Sequence, residues 1–228
     1  MIEDYMEFAK RHPELFDNEQ AMLRLVMDPD AIAAWCDTKR KEFSEKNLPL
    51  EWADIGIILN DRYILILRDL VEYPGGGKGS YFRVLNQADL RGGQGVVVLP
   101  AMNDKYLVLR QYRHPTRSWS YEFPRGFGEP GVPAEQQAGT ELNEEIQGEI
   151  DQLIDLGIYH SNTGLEGNKV KLFFANLKSV GHAATAEGIE SYRWVTLAEL
   201  EEMISTAQIT DGFTIATYTR AKLRGLLA

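Results

Sequence analysis

Three glutamates, Glu141, Glu144 and Glu145, fall within about one turn of a helix-forming run that follows a Gly/Pro-rich loop. At roughly 100° per residue their carboxylates share an arc of about 100°. Two carboxylates about 6 Å apart repel by about 3 kcal/mol at a surface-like dielectric, and a helix commonly relieves this with a base three or four residues away. None is offered here, because no Lys or Arg occurs between Arg125 and Lys169. A hard divalent cation turns the repulsion into attraction, since it takes oxygen ligands and carboxylates bring charge. A solvated acidic face that holds no ion is the alternative.

Composition narrows the classes of function. A chain of 228 residues fits one sizeable domain, or one domain with an extension. Its 44% hydrophobic and 25% charged content is that of a soluble globular protein. The net charge of -10 argues against a nucleic-acid partner, which would need clustered Lys and Arg, but leaves room for small anionic substrates held by metal ions and a few local arginines. The single cysteine, Cys36, excludes an internal disulfide and suits a reducing compartment. No apolar run reaches the length of a membrane span. The acidic, amphipathic start, MIEDYMEFAKRHPELF, is unlike a secretory signal, so the expected location is cytoplasmic with no membrane partner.

The glutamates need elements to position them. Residues 1–48 read as three helices: a stripe at Ile2, Tyr5, Met6 and Phe8–Ala9, a second over 18–27, and a third over 29–46. Strand patterns follow at 55–59 and 63–67 around Asn60-Asp61-Arg62, then at 81–85 beyond the breaker cluster Tyr73–Gly79. Segments 95–100 and 105–112 form an expected hairpin around Met102-Asn103-Asp104. A short strand at 118–122 enters the loop Pro124–Pro133, and Pro133 starts a helix to about Ile146. Strands at 153–159, 170–176 and 191–196 and helices at 197–205 and 213–227 complete the chain. The predicted class is α+β, a mixed sheet flanked by helices. The expected division is a helical extension over 1–50 and a main domain over 51–228, its first strands at 52–94 and its catalytic core at 95–228.

The stretch from Gly126 to Glu145 resembles the box of the Nudix hydrolases, G-x5-E-x7-R-E-U-x-E-E-x-G-U with U apolar. Glu141, Leu142, Glu144 and Glu145 match it. Val132 stands in place of its first Glu, Thr140 in place of its Arg, Gln147 in place of its Gly, and Gly148 where it wants an apolar residue. The flanks are similar to the ADP-ribose pyrophosphatase branch of that family: LVLRQYRHP (107–115) with YEFPRG (121–126), IYHSNTGLE (158–166) and ITDGFTIA (209–216). These four segments occur in the family's order, whereas residues 1–50 carry no such likeness. The resemblance implies an α/β/α sandwich, to which the N-terminal helices are an extension, and an enzyme dependent on Mg2+ or Mn2+.

Carried over residue by residue, the resemblance suggests Glu141 and Glu145 as main metal ligands, Glu144 as a further ligand direct or through water, and the carbonyl of Arg125 completing the group. The general base would be a Glu on a loop before a late strand. Glu187 and Glu190 both qualify, and spacing favours Glu187 because Glu190 opens the strand itself. Substrate would be positioned by Arg113, Glu122, Gly126 and Arg110. Arg113 offers paired donors to phosphate oxygens. Arg110 and Arg113 point to opposite faces of one strand, so one of them faces solvent or a partner subunit. Glu122 would meet the adenine side or support the loop. Trp119, Tyr121 and Phe127 could stack on a base or pack in the core. Thr140 cannot supply the salt bridge of the family's Arg, which leaves His160 or Lys169 as donors to the glutamates. Glu129 and Glu135 lie near enough in sequence to replace the carboxylate lost at Val132.

The reading with most support is hydrolysis of the pyrophosphate in a nucleoside diphosphate derivative, ADP-ribose or a nucleotide sugar, to a nucleoside monophosphate and a sugar phosphate. The alternative is a Nudix-fold module that has lost catalysis and senses a nucleotide, motivated by the altered box. The resemblance also implies a homodimer built through the N-terminal strands. Residues 1–50, outside the resemblance, are a candidate cap over the cleft or part of the dimer interface.

Overall fold

A computed structural model of the chain describes residues 2–227. In chain order the elements are α1 (Ile2–Arg11), β1 (Arg24–Leu25), α2 (Pro29–Glu45), β2 (Gly56–Asn60), β3 (Ile64–Glu72), β4 (Lys78–Asn86), α3 (Gln87–Leu90), β5 (Gly95–Met102), β6 (Lys105–Arg113), β7 (Ser118–Glu122), β8 (Arg125–Gly126), α4 (Ala134–Ile146), β9 (Glu149–Tyr159), β10 (Val170–Ser179), β11 (Ile189–Val195), α5 (Leu197–Ser205) and α6 (Gly212–Leu223). They form two compact units, one of residues 2–87 with 162–167 and one of 88–161 with 168–227. Among the described residues no helix is long and apolar enough to cross a membrane.

In the first unit β3 is central, pairing antiparallel with β1, β2 and β4. The turn between β2 and β3 is closed by Asp61, whose Oδ1 accepts from the backbone N–H of Tyr63 and Ile64 at 2.7 and 2.8 Å. The helices expected at the start and at 29–46 are present, the latter capped by Asp28 with Pro29 in its first turn. The helix expected over 18–27 is not. The Asn18 side chain accepts from Leu25 N–H and donates to Leu25 C=O, at 2.8 and 2.9 Å, and Arg24–Leu25 pairs with β3. A local amide side chain and a long-range strand partner here outweigh the helical spacing of the apolar residues.

The second unit is a seven-stranded mixed sheet of path β11-β6-β5-β10-β9, with β7 on β6 and β8 on β5; β5 and β10 run parallel. The hairpin between β5 and β6 turns through Asn103 and Asp104, both at positive φ (52° and 57°), a conformation Asn and Asp tolerate and one that matches the twist of the strands. Strand alternation makes two cores. Val96, Val98, Leu107, Leu109, Phe173, Ala175 and Leu177 pack with Ala134, Ala138, Leu142 and Ile146 of α4. Val97, Leu99, Val108, Leu172 and Phe174 pack with Leu200 and Met203 of α5 and Ala221 of α6. This is the expected α/β/α arrangement, with helices on both faces because the central strands are apolar on both faces.

The α4 contacts at 134, 138, 142 and 146 recur every four residues and fix the rotation of the helix about its axis. Leu142 is fully buried. Leu142→Ala is expected to lower stability by about 3 kcal/mol, read as a lower urea midpoint with unchanged slope.

Candidate functional site

With Ala138 and Leu142 turned into the core, the adjoining row of α4, Gln137, Glu141 and Glu145, faces the two-residue strand β8. Glu141 and Glu145 are buried and Glu144 is exposed. A side chain at Gly126 would occupy the space of the Glu141 carboxylate, so any larger residue there displaces that carboxylate. Gln137 Nε2 donates to Glu141 Oε1 at 2.7 Å, and the Arg125 backbone N–H donates to Glu145 Oε2 at 3.2 Å. These are the donors that steady the glutamates. His160 and Lys169 are placed otherwise: His160 Nδ1 meets the Asn168 carbonyl, and Lys169 donates its backbone N–H to Asp89, the carboxylate its ammonium charge also acts on. Thr140 bonds back to the Gln136 carbonyl within its own helix.

Burial pushes the Glu141 carboxyl above its ordinary range; the Gln137 hydrogen bond opposes the rise, and Glu144, Glu187 and Glu129 add to it. Burial, then Glu141 and Glu187, pushes Glu145 up to about 8, against the Arg125 amide and the Arg113 charge. Glu187 therefore lies within electrostatic reach of both buried glutamates. Glu129 is within reach of Glu141, as a replacement for the carboxylate lost at Val132 would be. Glu190 does not join this group. It is an exposed residue of β11 paired with Arg110, whose guanidinium lies 4.3 Å above the Trp119 ring. Arg110 is thus engaged away from the carboxylates. Tyr121 packs in the core beneath Arg193, whereas Trp119 and Phe127 are exposed.

Glu122 is fully buried. Its Oε1 lies 2.5 Å from Arg113 Nη2, off the hydrogen-bond direction, and its Oε2 accepts from Arg125 Nη2 at 3.3 Å. Arg125 Nη2 also lies 3.4 Å from Asp211 Oδ1, and the guanidinium covers the Phe213 ring at 4.9 Å. Asp211 caps α6 by accepting from the Thr214 N–H at 2.8 Å and its hydroxyl at 2.7 Å, and that hydroxyl accepts from the Phe123 N–H at 3.0 Å. Five buried atoms around this network have no hydrogen-bond partner: Arg113 Nε and Nη2, Arg125 Nε, Glu122 Oε1 and Gln111 Oε1. Three of them are donors, which suits a ligand rich in acceptor oxygens.

Gln137, Asp211, Thr214 and Gln111 did not emerge from the motif. Asp211-x-x-Thr214 before a helical stripe is a readable N-cap, and Gln137 lies one turn before Glu141. Among the described residues no three acidic, His or Cys side chains are drawn into a ready-made ion cage. The donor set is nevertheless one of hard oxygens, and the two buried carboxylates are electrostatically unsatisfied, so their chemistry fits a divalent cation such as Mg2+.

The sign of the pH dependence follows from Glu145. Its carboxyl rises from 4.5 to about 8 on folding, so in metal-free protein its contribution is intact below about 4.5 and is lost as pH rises toward 8. Glu145→Gln is expected to match the parent near pH 5 and to exceed it by on the order of 4 kcal/mol near pH 8. Chemical denaturation in a chelator at the two pH values measures this.

The NUDIX domain family model matches residues 91–213, more than half of the chain. Among curated proteins none is significantly similar in sequence. Among solved structures the chain is similar to the crystal structure of an ADP compounds hydrolase, with a TM-score of 0.63 and 18% identity over 76% of this chain and 93% of that one. At that identity the likeness establishes a shared fold. The domain match spans the acidic helix, the strand that approaches it and the loop that carries Glu187, and on that match the chain belongs to the Nudix family of pyrophosphohydrolases.

Proposed function

We propose that this protein is a divalent-cation-dependent hydrolase of nucleoside diphosphate-linked compounds, with ADP-ribose or a nucleotide sugar as substrate and Mg2+ or Mn2+ as cation. The observation that carries the reading is the pair of buried glutamates, Glu141 and Glu145, within electrostatic reach of a loop glutamate, Glu187, and of the Arg113 guanidinium. The similar solved structure is that of a hydrolase of ADP compounds, and this supports the same substrate class here.

Glu141 and Glu145 would hold the cation, with Glu144 at the exposed edge and the Arg125 carbonyl beside them. A bound cation supplies charge neutralisation at the phosphates and a more acidic water. The chain's own groups do the rest. Arg113, whose side chain is partly exposed, would bring its guanidinium charge to a phosphate oxygen, and the Glu122 carboxylate behind it keeps the guanidinium in place. Glu187 accepts the proton of the attacking water. Oxygen from that water bonds to one phosphorus while the bridging P–O bond breaks, and the proton passes to the departing phosphate. The products are a nucleoside monophosphate and a sugar phosphate. Gly126 contributes room for Glu141.

Incubation with ADP-ribose and a panel of nucleotide sugars, with Mg2+ or Mn2+, is expected to release a nucleoside monophosphate, and Glu187→Gln to lower kcat by about 100-fold or more with metal binding retained. Calorimetry that shows metal-dependent nucleotide binding, with no product even at large enzyme excess, would instead establish the nucleotide sensor.

The same reading includes a homodimer. The first unit exposes Ile58, Leu59, Tyr81 and Phe82 on its strands, together with Tyr63 in a turn and Leu50 and Trp52, apolar surface of the kind that a second subunit covers. Light scattering is expected to give twice the 25.8 kDa chain mass; a monomer mass would exclude it.

A further inference from the structure

Gln147 stands where the Nudix box carries glycine, and the backbone shows why glycine belongs there. Residue 147 closes α4 in the left-handed region, with φ 50° and ψ 42°, a conformation strained for a side chain and free for glycine. A glutamine retained in such a conformation points to a use for its side chain. Gln147 Oε1 accepts from the His182 N–H at 3.2 Å. Gly181 packs so closely that a Cβ there would collide with Oε1, Cβ and Cδ of Gln147.

The contact belongs to a larger seam. The Gly181 N–H donates to the Ile146 carbonyl at 2.9 Å and the Ala184 N–H to the Glu145 carbonyl at 2.8 Å. These are last-turn carbonyls that the helix itself leaves open. The Tyr192 hydroxyl donates to the Gly181 carbonyl at 2.7 Å. The segment then runs into the short 3-10 turn Thr185–Glu187, where Gln111 Nε2 donates to the Glu187 carbonyl at 3.1 Å. The helical turn that carries Glu141 and Glu145 therefore also grips the segment that carries Glu187. Backbone bonds provide most of that grip, and Gln147, at the C-cap of the helix, adds a side-chain hydrogen bond to it.

We propose that Gln147 is a positioning residue: it clamps the 181–184 segment to the end of α4 and so sets Glu187 against Glu141 and Glu145, with Gly181 as its steric counterpart. The functional half of this rests on Glu187 being the base. A cap alone would be served better by glycine, so the departure from the box is a trade of helix-end comfort for loop placement.

Four variants test it in the full-length protein: Gln147→Gly, Gln147→Glu, Gly181→Ala and the double variant Gln147→Gly/Gly181→Ala. The readouts are thermal midpoint, amide exchange at His182 and Ala184 by NMR, and kcat and KM for ADP-ribose with Mg2+. Gln147→Gly is expected to melt no lower than the parent, to exchange the His182 amide faster, and to lose about fivefold in kcat with little change in KM. Gln147→Glu keeps an acceptor oxygen and is expected to recover most of that loss. Gly181→Ala is expected to cost about tenfold in kcat in the parent and nothing further in the Gln147→Gly background, because its collision partner is gone. The clamp is overturned if Gln147→Gly changes neither exchange nor kcat, or if Gly181→Ala is equally harmful in both backgrounds. Faster exchange with unchanged kcat overturns the positioning role. A fully active Glu187→Gln removes the base assignment instead, and exchange in Gln147→Gly, with the thermal midpoints of the four variants, then decides the clamp alone.

Discussion

Two carboxylates held together out of water constrain the rest of the second unit. Glu141 and Glu145 lie one turn apart on the same side of α4, both buried, each raising the energy of ionising the other. Such a pair would ordinarily rotate toward solvent. It cannot, because Ala134, Ala138, Leu142 and Ile146 are packed onto β5, β6 and β10, and turning the carboxylates outward would expose that stripe. Burial of the apolar row, at about 25 cal/mol per Å2, is the force that keeps the neighbouring acidic row in place. Stability of the core and poise of the site are thus one mechanical fact, set by the four-residue period of a single helix.

Arg125 joins that row to the rest of the sheet by dividing its duties. Its backbone N–H serves Glu145, while its guanidinium turns away to Glu122, Asp211 and the face of Phe213. Asp211 is at once an ion-pair partner and the N-cap of α6, and Thr214 of that cap accepts from the Phe123 backbone. The loop facing the glutamates is therefore pinned from both faces of the sheet, by α4 on one side and the start of α6 on the other. The buried charge of Glu122 is tolerable here because two half-buried guanidiniums compensate it, with Asp211 beside one of them.

The elements that generate this geometry are legible in proportion to how local their causes are. The hairpin turn at Asn103-Asp104 and the helix start at Pro133 are set by a few adjacent residues, and the structure has them where composition places them. The three clustered glutamates, with no base among them, mark the acidic row from spacing alone. The segment 18–27 departs from expectation for a physical reason: its apolar spacing is helical, but Asn18 grips Leu25 and β3 takes up Arg24–Leu25, a pairing across more than forty residues. The same limit hides the partner of Arg110, since Glu190 lies eighty residues away in sequence and beside it only through the β6–β11 pairing. His160 and Lys169 are attractive as donors only because they bear the right chemistry; the actual donor, Gln137, is one turn from its acceptor and escapes a search for charge because it carries none.

That neutrality has a consequence for a helix lacking the family's arginine. A guanidinium salt-bridged to the glutamates would orient them but also compete with a cation for their charge, and would pull their carboxyls down. Gln137 and the Arg125 amide orient Glu141 and Glu145 without neutralising them, so the negative charge is left for the ion. The cost appears as protons: carboxyls raised above their usual range, with Glu145 near 8, must release them before they can serve as ligands. Affinity for the cation should then climb through neutral pH, where a site with the arginine in place would already be ionised and flat. Replacing Arg by Thr140 in this frame does not dismantle the site. It shifts the balance from a charge held in check by an arginine to one held in check by protons, which a cation would have to displace.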